Sequence, residues 1–286
     1  MEIKNFSQRI VNNDNPNTNG EVELYKILIQ NNIIKNNLFV VGAAADFDII
    51  KYFPNNGSKL HMFEPRKGPT QDTSWSSDER LSDGWSCEIL KHYLTTGQIL
   101  EFDHGNKNKY NKGDYDILYF SKIVGYEDKP NDNVIKNTTI NSYALGEEKN
   151  DNHIFYQNTM TMSKRQHSTT GGEHTIKVDT LDNYCFENKI DYIDFLKIDV
   201  EGHELSVLNG GKNTILGGKC NLVQFEYGGT YNDSDITLTQ IYEYFKDWKI
   251  YNIESGKLNL HPTPIEDYQY TNYLASKLDL NKIKWE

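Results

Sequence analysis

Four titratable side chains fall within six residues in the segment Leu196-Lys197-Ile198-Asp199-Val200-Glu201-Gly202-His203-Glu204. An apolar run leads into Asp199, so this residue reads as the C-terminal end of a buried strand. That is the edge at which open α/β sheets bind ligands. Charged groups beside a buried strand are costly unless they are paired or hold something, and such clusters suit proton transfer. Glu201 and Glu204 suit the positive end of the helix that follows; Asp199 does not. His203 stands four residues after Asp199 and titrates near neutrality, which makes it a candidate base. It equally suits a helix-start histidine that only hydrogen-bonds nearby. Strand alternation puts Lys197 on the face of Asp199, opposite Ile198 and Val200, where it can pair with a carboxylate. A further acid, Glu226, lies in the apolar run of residues 221–227.

A second constellation lies upstream. Gly42 closes the apolar run of residues 38–42, and Glu64 closes the next run, 22 positions later. A glycine there lets a ligand approach the backbone and the next helix N-terminus. An acid about 20 positions on can accept hydrogen bonds from both hydroxyls of a ribose. A structural turn followed by an exposed Glu would give the same spacing.

The elements that must position these groups alternate. Residues 21–35 carry Val22, Tyr25, Leu28, Ile29 and Ile33 on one helical face. Short apolar runs predict strands at 38–42, 59–65, 195–202, 221–227, 249–253 and 271–277, with core character at 137–146 and 153–159. Helices are expected at 47–53, 86–95, 203–215 and 237–248, and residues 175–189 read as a strand entering a short helix. Such alternation means an α/β sheet. Residues 1–37 form an N-terminal loop and helix, and 38–286 the main domain. Residues 66–130 are polar, hold Trp75 and Trp85, and read as an insertion over the core, with a strand at 115–120. Residues 162–174, with His167, Ser168, Thr169, Thr170 and His174, read as a polar loop.

Composition excludes several classes. The 286 residues carry 30 Lys and Arg against 41 Asp and Glu, a net charge of −11. That disfavours a basic nucleic-acid surface and attachment to anionic lipid. No window approaches the 18 apolar residues of a membrane span. The first residues show no apolar leader, and Cys87, Cys185 and Cys220 are too few and too scattered for a disulfide framework, so a reducing cytoplasm is the expected setting.

Several of these stretches together resemble one family. VDTLDNY, LKIDVEGHELSVLNGG and VQFEY are similar to the FkbM family of S-adenosylmethionine-dependent O-methyltransferases. HMFEP resembles its second-strand motif, YALGEEKNDNHIFY its third-strand segment and YTNYLASK its final strand, over roughly residues 38–65 and 134–278. The resemblance implies a class I, Rossmann-like methyltransferase fold: a mostly parallel seven-stranded sheet with helices on both faces. It implies S-adenosylmethionine bound at Gly42, Ala43, Glu64, Ala144 and Asp199, and an acceptor hydroxyl on a sugar or glycan. It also implies Asp199 as the base, with His203 and Lys197 beside it, or a divalent cation such as Mg²⁺ held by Asp199 and Glu226, which would acidify the bound hydroxyl. Ala144 equally fits a small core residue. The partners expected are the acceptor, no nucleic acid and no membrane span, with a homodimer left open.

The chain departs from the family's first motif, roughly Asp-Val-Gly-Ala-Asn-x-Gly. Here it reads Val40-Val41-Gly42-Ala43-Ala44-Ala45-Asp46. The motif's acid is Val40 and its second glycine is Asp46. Two other readings therefore stand beside a methyltransferase: a nucleotide- or glycan-binding protein that has lost catalysis, and an NAD-dependent sugar enzyme. The latter is disfavoured because no GxxG follows Gly42.

Overall fold

The structure is a computed structural model that describes residues 2–5, 16–43, 47–65, 85–102, 121–126, 129–157, 162–163 and 172–282. The strands are β1 (Glu2–Asn5), β2 (Asn37–Val41), β3 (Lys59–Phe63), β4 (Gln98–Phe102), β5 (Ser121–Tyr126), β6 (Thr138–Asn141), β7 (Ala144–Leu145) and β8 (Asn150–Gln157). They continue with β9 (Met162–Ser163), β10 (Gly172–Asp179), β11 (Phe195–Ile198), β12 (Leu222–Tyr227), β13 (Lys249–Glu254), β14 (Lys257–Leu260) and β15 (Thr271–Ser276). The main helices are α1 (Glu21–Gln30), α2 (Phe47–Tyr52), α3 (Trp85–Thr96), α4 (Asp132–Asn137), α5 (Leu181–Glu187), α6 (Glu204–Gly210) and α7 (Leu238–Tyr244).

Nine strands form one sheet in the order β1-β14-β13-β15-β12-β11-β2-β3-β6. The five from β6 to β12 run parallel, whereas β15 is antiparallel to both β12 and β13. The expected seven-stranded, mostly parallel sheet is thus corrected to a larger mixed one. The two added strands, EIKN and KLNL, carry no apolar run, and their parallel pairing at the sheet margin rests on backbone hydrogen bonds. Chain order reverses between β2 and β11, where connections leave to opposite faces, and this switch point opens a crevice at the carboxyl ends of the strands.

Strand alternation separates two cores. Phe39, Val41, Phe63, Leu196, Ile198, Val223 and Phe225 pack against α5, α6 and α7. Leu38, Val40, Leu60, Met62 and Phe195 pack on the other face against α1, α2, α3 and α4. Each such side chain contributes about 1.5–3 kcal/mol by leaving water. Leu90, Tyr93 and Leu94 of α3 lie in that second core, so part of the segment read as an insertion packs beneath the sheet. The N-terminal helix does the same through Leu24, Tyr25 and Leu28.

Other expectations shift. The stretch 137–146 divides into β6 and β7, and the single helix at 203–215 breaks at Gly210-Gly211 into α6 and a short helical segment, Lys212–Thr214, that runs on as a π-helix over Ile215–Lys219. Residues 172–174 of the expected polar loop begin β10, which pairs with β7 and β8 in a separate four-stranded sheet. The strand at 115–120, Trp75 and residues 167–170 lie outside the described residues. Among the described residues, no helix is long and apolar enough to cross a membrane.

Gly42 fixes the switch point. Its φ is +81°, and a Cβ there would sit 1.7 Å from the Asp199 carbonyl oxygen. Gly57 also has a positive φ, +88°, but a Cβ on it would meet nothing within 4 Å. Gly42→Ala should therefore lose more than about 2 kcal/mol in urea unfolding, and Gly57→Ala only about 1 kcal/mol. Equal losses would show that backbone strain alone, and not the close approach, governs Gly42.

Candidate active site

The carboxyl ends of β2, β3, β11 and β12 bring Gly42, Glu64, Asp199 and Glu226 to one edge of the sheet. Gly42 and Ala43 both donate their amides to the Phe63 carbonyl, at 2.9 and 3.0 Å. Those amides tie β2 to β3 and are engaged in the fold. Glu64 is buried just beyond β3, its own amide bonded to the Asn141 carbonyl at 3.0 Å. Ala144 stands at the start of β7 and packs with Phe155, Ile176 and Val178.

Asp199 is partly exposed: its side chain is 33% exposed, against 9% for the Glu21 acid and 11% for Lys197. The Lys197 ammonium lies 3.6 Å from Asp199 Oδ2 and 3.2 Å from Glu21 Oε2. Burial alone would push the Glu21 carboxyl up. The Lys197 ammonium, with the side-chain amides of Asn19 and Gln224, outweighs it and holds Glu21 below the ordinary 4.5. Glu226 moves the other way. Burial raises its carboxyl, and the Asp199 carboxylate, which shares a hydrogen bond with it, raises it further. The two acids thus resist double ionisation. Among the described residues, no group of three or more His, Cys, Asp and Glu side chains is arranged to hold a metal ion.

His203 occupies a different recess. It precedes α6, and its ring meets Phe155 edge-on at 5.0 Å. Ala144, His153, Val178 and Ser206 complete the walls of this cleft of about 230 Å³. Glu204 is fully buried; Oε1 accepts from the Val200 amide at 3.0 Å, while Oε2 has no hydrogen-bond partner among the described residues.

Sequence reading missed Glu21, Gln224, Asn272 and Tyr270. The phenol of Tyr270 accepts from Asn272 at 3.1 Å, and burial together with Glu226, Glu21 and Asp199 pushes it up. Gln224 was detectable, as a polar residue in the apolar run of β12; Glu21 carried no signal beyond an acid at a helix start.

Burial raises the Glu204 carboxyl from 4.5 to about 8. The unfolded chain releases this proton near its ordinary value while the folded chain still holds it. The corresponding stability is present below pH 4.5 and is lost as pH rises toward 8. Glu226 acts in the same sense. Glu204→Gln should therefore weaken the fall in Tm between pH 5 and pH 8.5 without abolishing it, as read by thermal denaturation at a series of pH values. An unchanged slope would remove Glu204 as a source.

The family model for the methyltransferase FkbM domain matches residues 108–250, half of the chain. No curated protein matches it. Among solved structures, the chain is similar to precorrin-6Y C5,15-methyltransferase from Geobacter metallireducens GS-15, at 7% identity over 88% of this chain and 87% of that one. The TM-score is 0.38, too low for the likeness to carry weight. The matched segment contains the cluster built around Asp199, and the chain belongs to the FkbM methyltransferase domain family.

Proposed function

We propose that the chain is an S-adenosylmethionine-dependent O-methyltransferase acting on a sugar hydroxyl, on a class I fold. The observation that carries this is Asp199: a partly exposed carboxylate at the end of the central strand, beside the Lys197 ammonium and hydrogen-bonded to Glu226. The residues present suit the cofactor. It bears a sulfonium and an ammonium against one carboxylate, and the strand edge presents the acids Glu64, Asp199 and Glu201. Glu64 follows β3, and an acid at that strand end suits acceptance from ribose hydroxyls. The sugar acceptor rests on the family resemblance.

When bound, S-adenosylmethionine supplies an already activated methyl group, so the protein's task is alignment and proton removal. A sugar hydroxyl is weakly acidic and needs a base. Asp199 accepts that proton at a carboxylate oxygen. Glu226 donates to Asp199 and limits the repulsion between the two acids, and Lys197 restrains the Asp199 side chain. His203 becomes the base only if Asp199 proves structural. In the alternative arrangement Asp199 and Glu226 would hold a divalent cation, which would supply acidification of the bound hydroxyl.

Glu64→Ala should lose about 2–3 kcal/mol of S-adenosylhomocysteine binding in calorimetry, since two charge-assisted bonds disappear. Unchanged affinity would refute that role. Asp199→Asn keeps the shape and removes the charge. Turnover on a panel of nucleotide sugars and glycans, read by mass spectrometry of the methylated product, should fall by about 10²–10⁴-fold, with cofactor affinity little changed. Near-wild-type turnover would make Asp199 structural. Loss of activity with EDTA and recovery with Mg²⁺ would favour the cation over the shared proton. Cofactor binding with no turnover on any acceptor would point to a binding protein.

A further inference from the structure

We infer that Glu21, from the helix before the first central strand, is a positioning residue that holds the Asp199 carboxylate through Lys197. The inference deepens the methyltransferase reading and rests on its assignment of Asp199.

Lys197 sits mid-sheet on β11, only 9% exposed, on the face that packs against α1 and α2. An ammonium buried there requires an anion. Its parallel neighbour on β2 in the same register is Val40, fully buried and apolar. No acid therefore reaches Lys197 from this register of β2. Glu21 supplies one from another element. Its Oε2 lies 3.2 Å from Lys197 Nζ, and Lys197 Nζ lies 3.6 Å from Asp199 Oδ2.

Glu21 is itself rigidly held. Oε1 accepts from Asn19 and Asn272, and Oε2 from Gln224, each at 2.7 Å. Asn19 lies in the turn before α1, Gln224 on β12 and Asn272 on β15, so three elements converge on one carboxylate. The start of α1 is pinned as well. Gly20 adopts φ +97°, a Cβ there would meet the Glu254 carbonyl carbon at 2.6 Å, and Glu23 accepts from the Gly256 amide at 2.7 Å. With Glu21 held by these bonds, its carboxylate restrains the Lys197 ammonium, which faces Asp199. A satisfied network of this kind orders its members more than pairwise bonds would.

The test uses the full chain. Glu21→Gln keeps the shape and removes the charge. It should lower kcat by about 10- to 100-fold through misplacement of Asp199. The acceptor KM and S-adenosylhomocysteine affinity should stay within about twofold, as expected for a loss felt in the transition state alone. A readout independent of activity is the stability coupling between Lys197→Met and Asp199→Asn, measured by urea unfolding. It should be present in the wild type and lost in the Glu21→Gln background. Should Glu21→Gln fail to fold, the double variant Glu21→Leu/Lys197→Met removes both charges together, and its kcat should fall to a similar extent. Wild-type kcat in either folded variant, or coupling that persists without Glu21, would overturn the inference. If the coupling is lost but Asp199→Asn is fully active, the tether stands and the base assignment falls.

Discussion

The buried ammonium of Lys197 sets the terms for much of the molecule around it. A cation inside a sheet tolerates neither an apolar wall nor a lone partner. Glu21 answers it from α1, and Glu21 in turn draws the side chains of Asn19, Gln224 and Asn272. One charge is therefore met by polar residues on three separate stretches of chain, which bind the N-terminal helix to the strands of the crevice. Replaced by apolar residues, the same space would pack as well. What the network adds is a defined geometry at its exposed end, where Asp199 meets the crevice.

The crevice itself is a backbone construction. β2 and β11 leave the switch point so close together that only a hydrogen fits on Gly42 beside the Asp199 carbonyl. The same turn delivers Asp199, Glu201 and Glu204 within a few residues, and β12 brings Glu226 alongside. Like charges this near cannot all ionise. The outcome is a division of labour by environment: Glu226 and Glu204 are held toward the protonated form by burial and by their acidic neighbours, while Asp199 is the acid with both an ammonium partner and access to solvent.

The matched family segment, residues 108–250, contains Lys197, Asp199, His203 and Glu226. Glu21, Gly42, Glu64 and Tyr270 lie outside it. The turn that carries Asp199 thus belongs to the matched half, whereas Glu21, Gly42 and Glu64 come from the flanking chain.

Local residue pattern decided the central strands, because burial on both faces demands continuous apolar runs such as residues 38–41 and 195–198. It decided Asp199 and Glu226 for the same reason, since an acid that ends such a run is conspicuous. It also put Lys197 on the Asp199 face, through the two-residue period of a strand. It did not reveal β1 and β14, whose residues carry no apolar run and whose order comes from backbone pairing at a sheet margin. Nor did it reveal that α3 packs beneath the sheet, since a polar neighbourhood in sequence hides one buried face. The partner of Lys197 lay furthest from reach. Glu21 is 176 residues away and resembles any acid at a helix start, and only the folding of α1 against β11 brings the two charges within 3.2 Å. Periodicity is a property of neighbours in sequence, whereas an ion pair is a property of neighbours in space, and for this site the second was decided by tertiary structure alone.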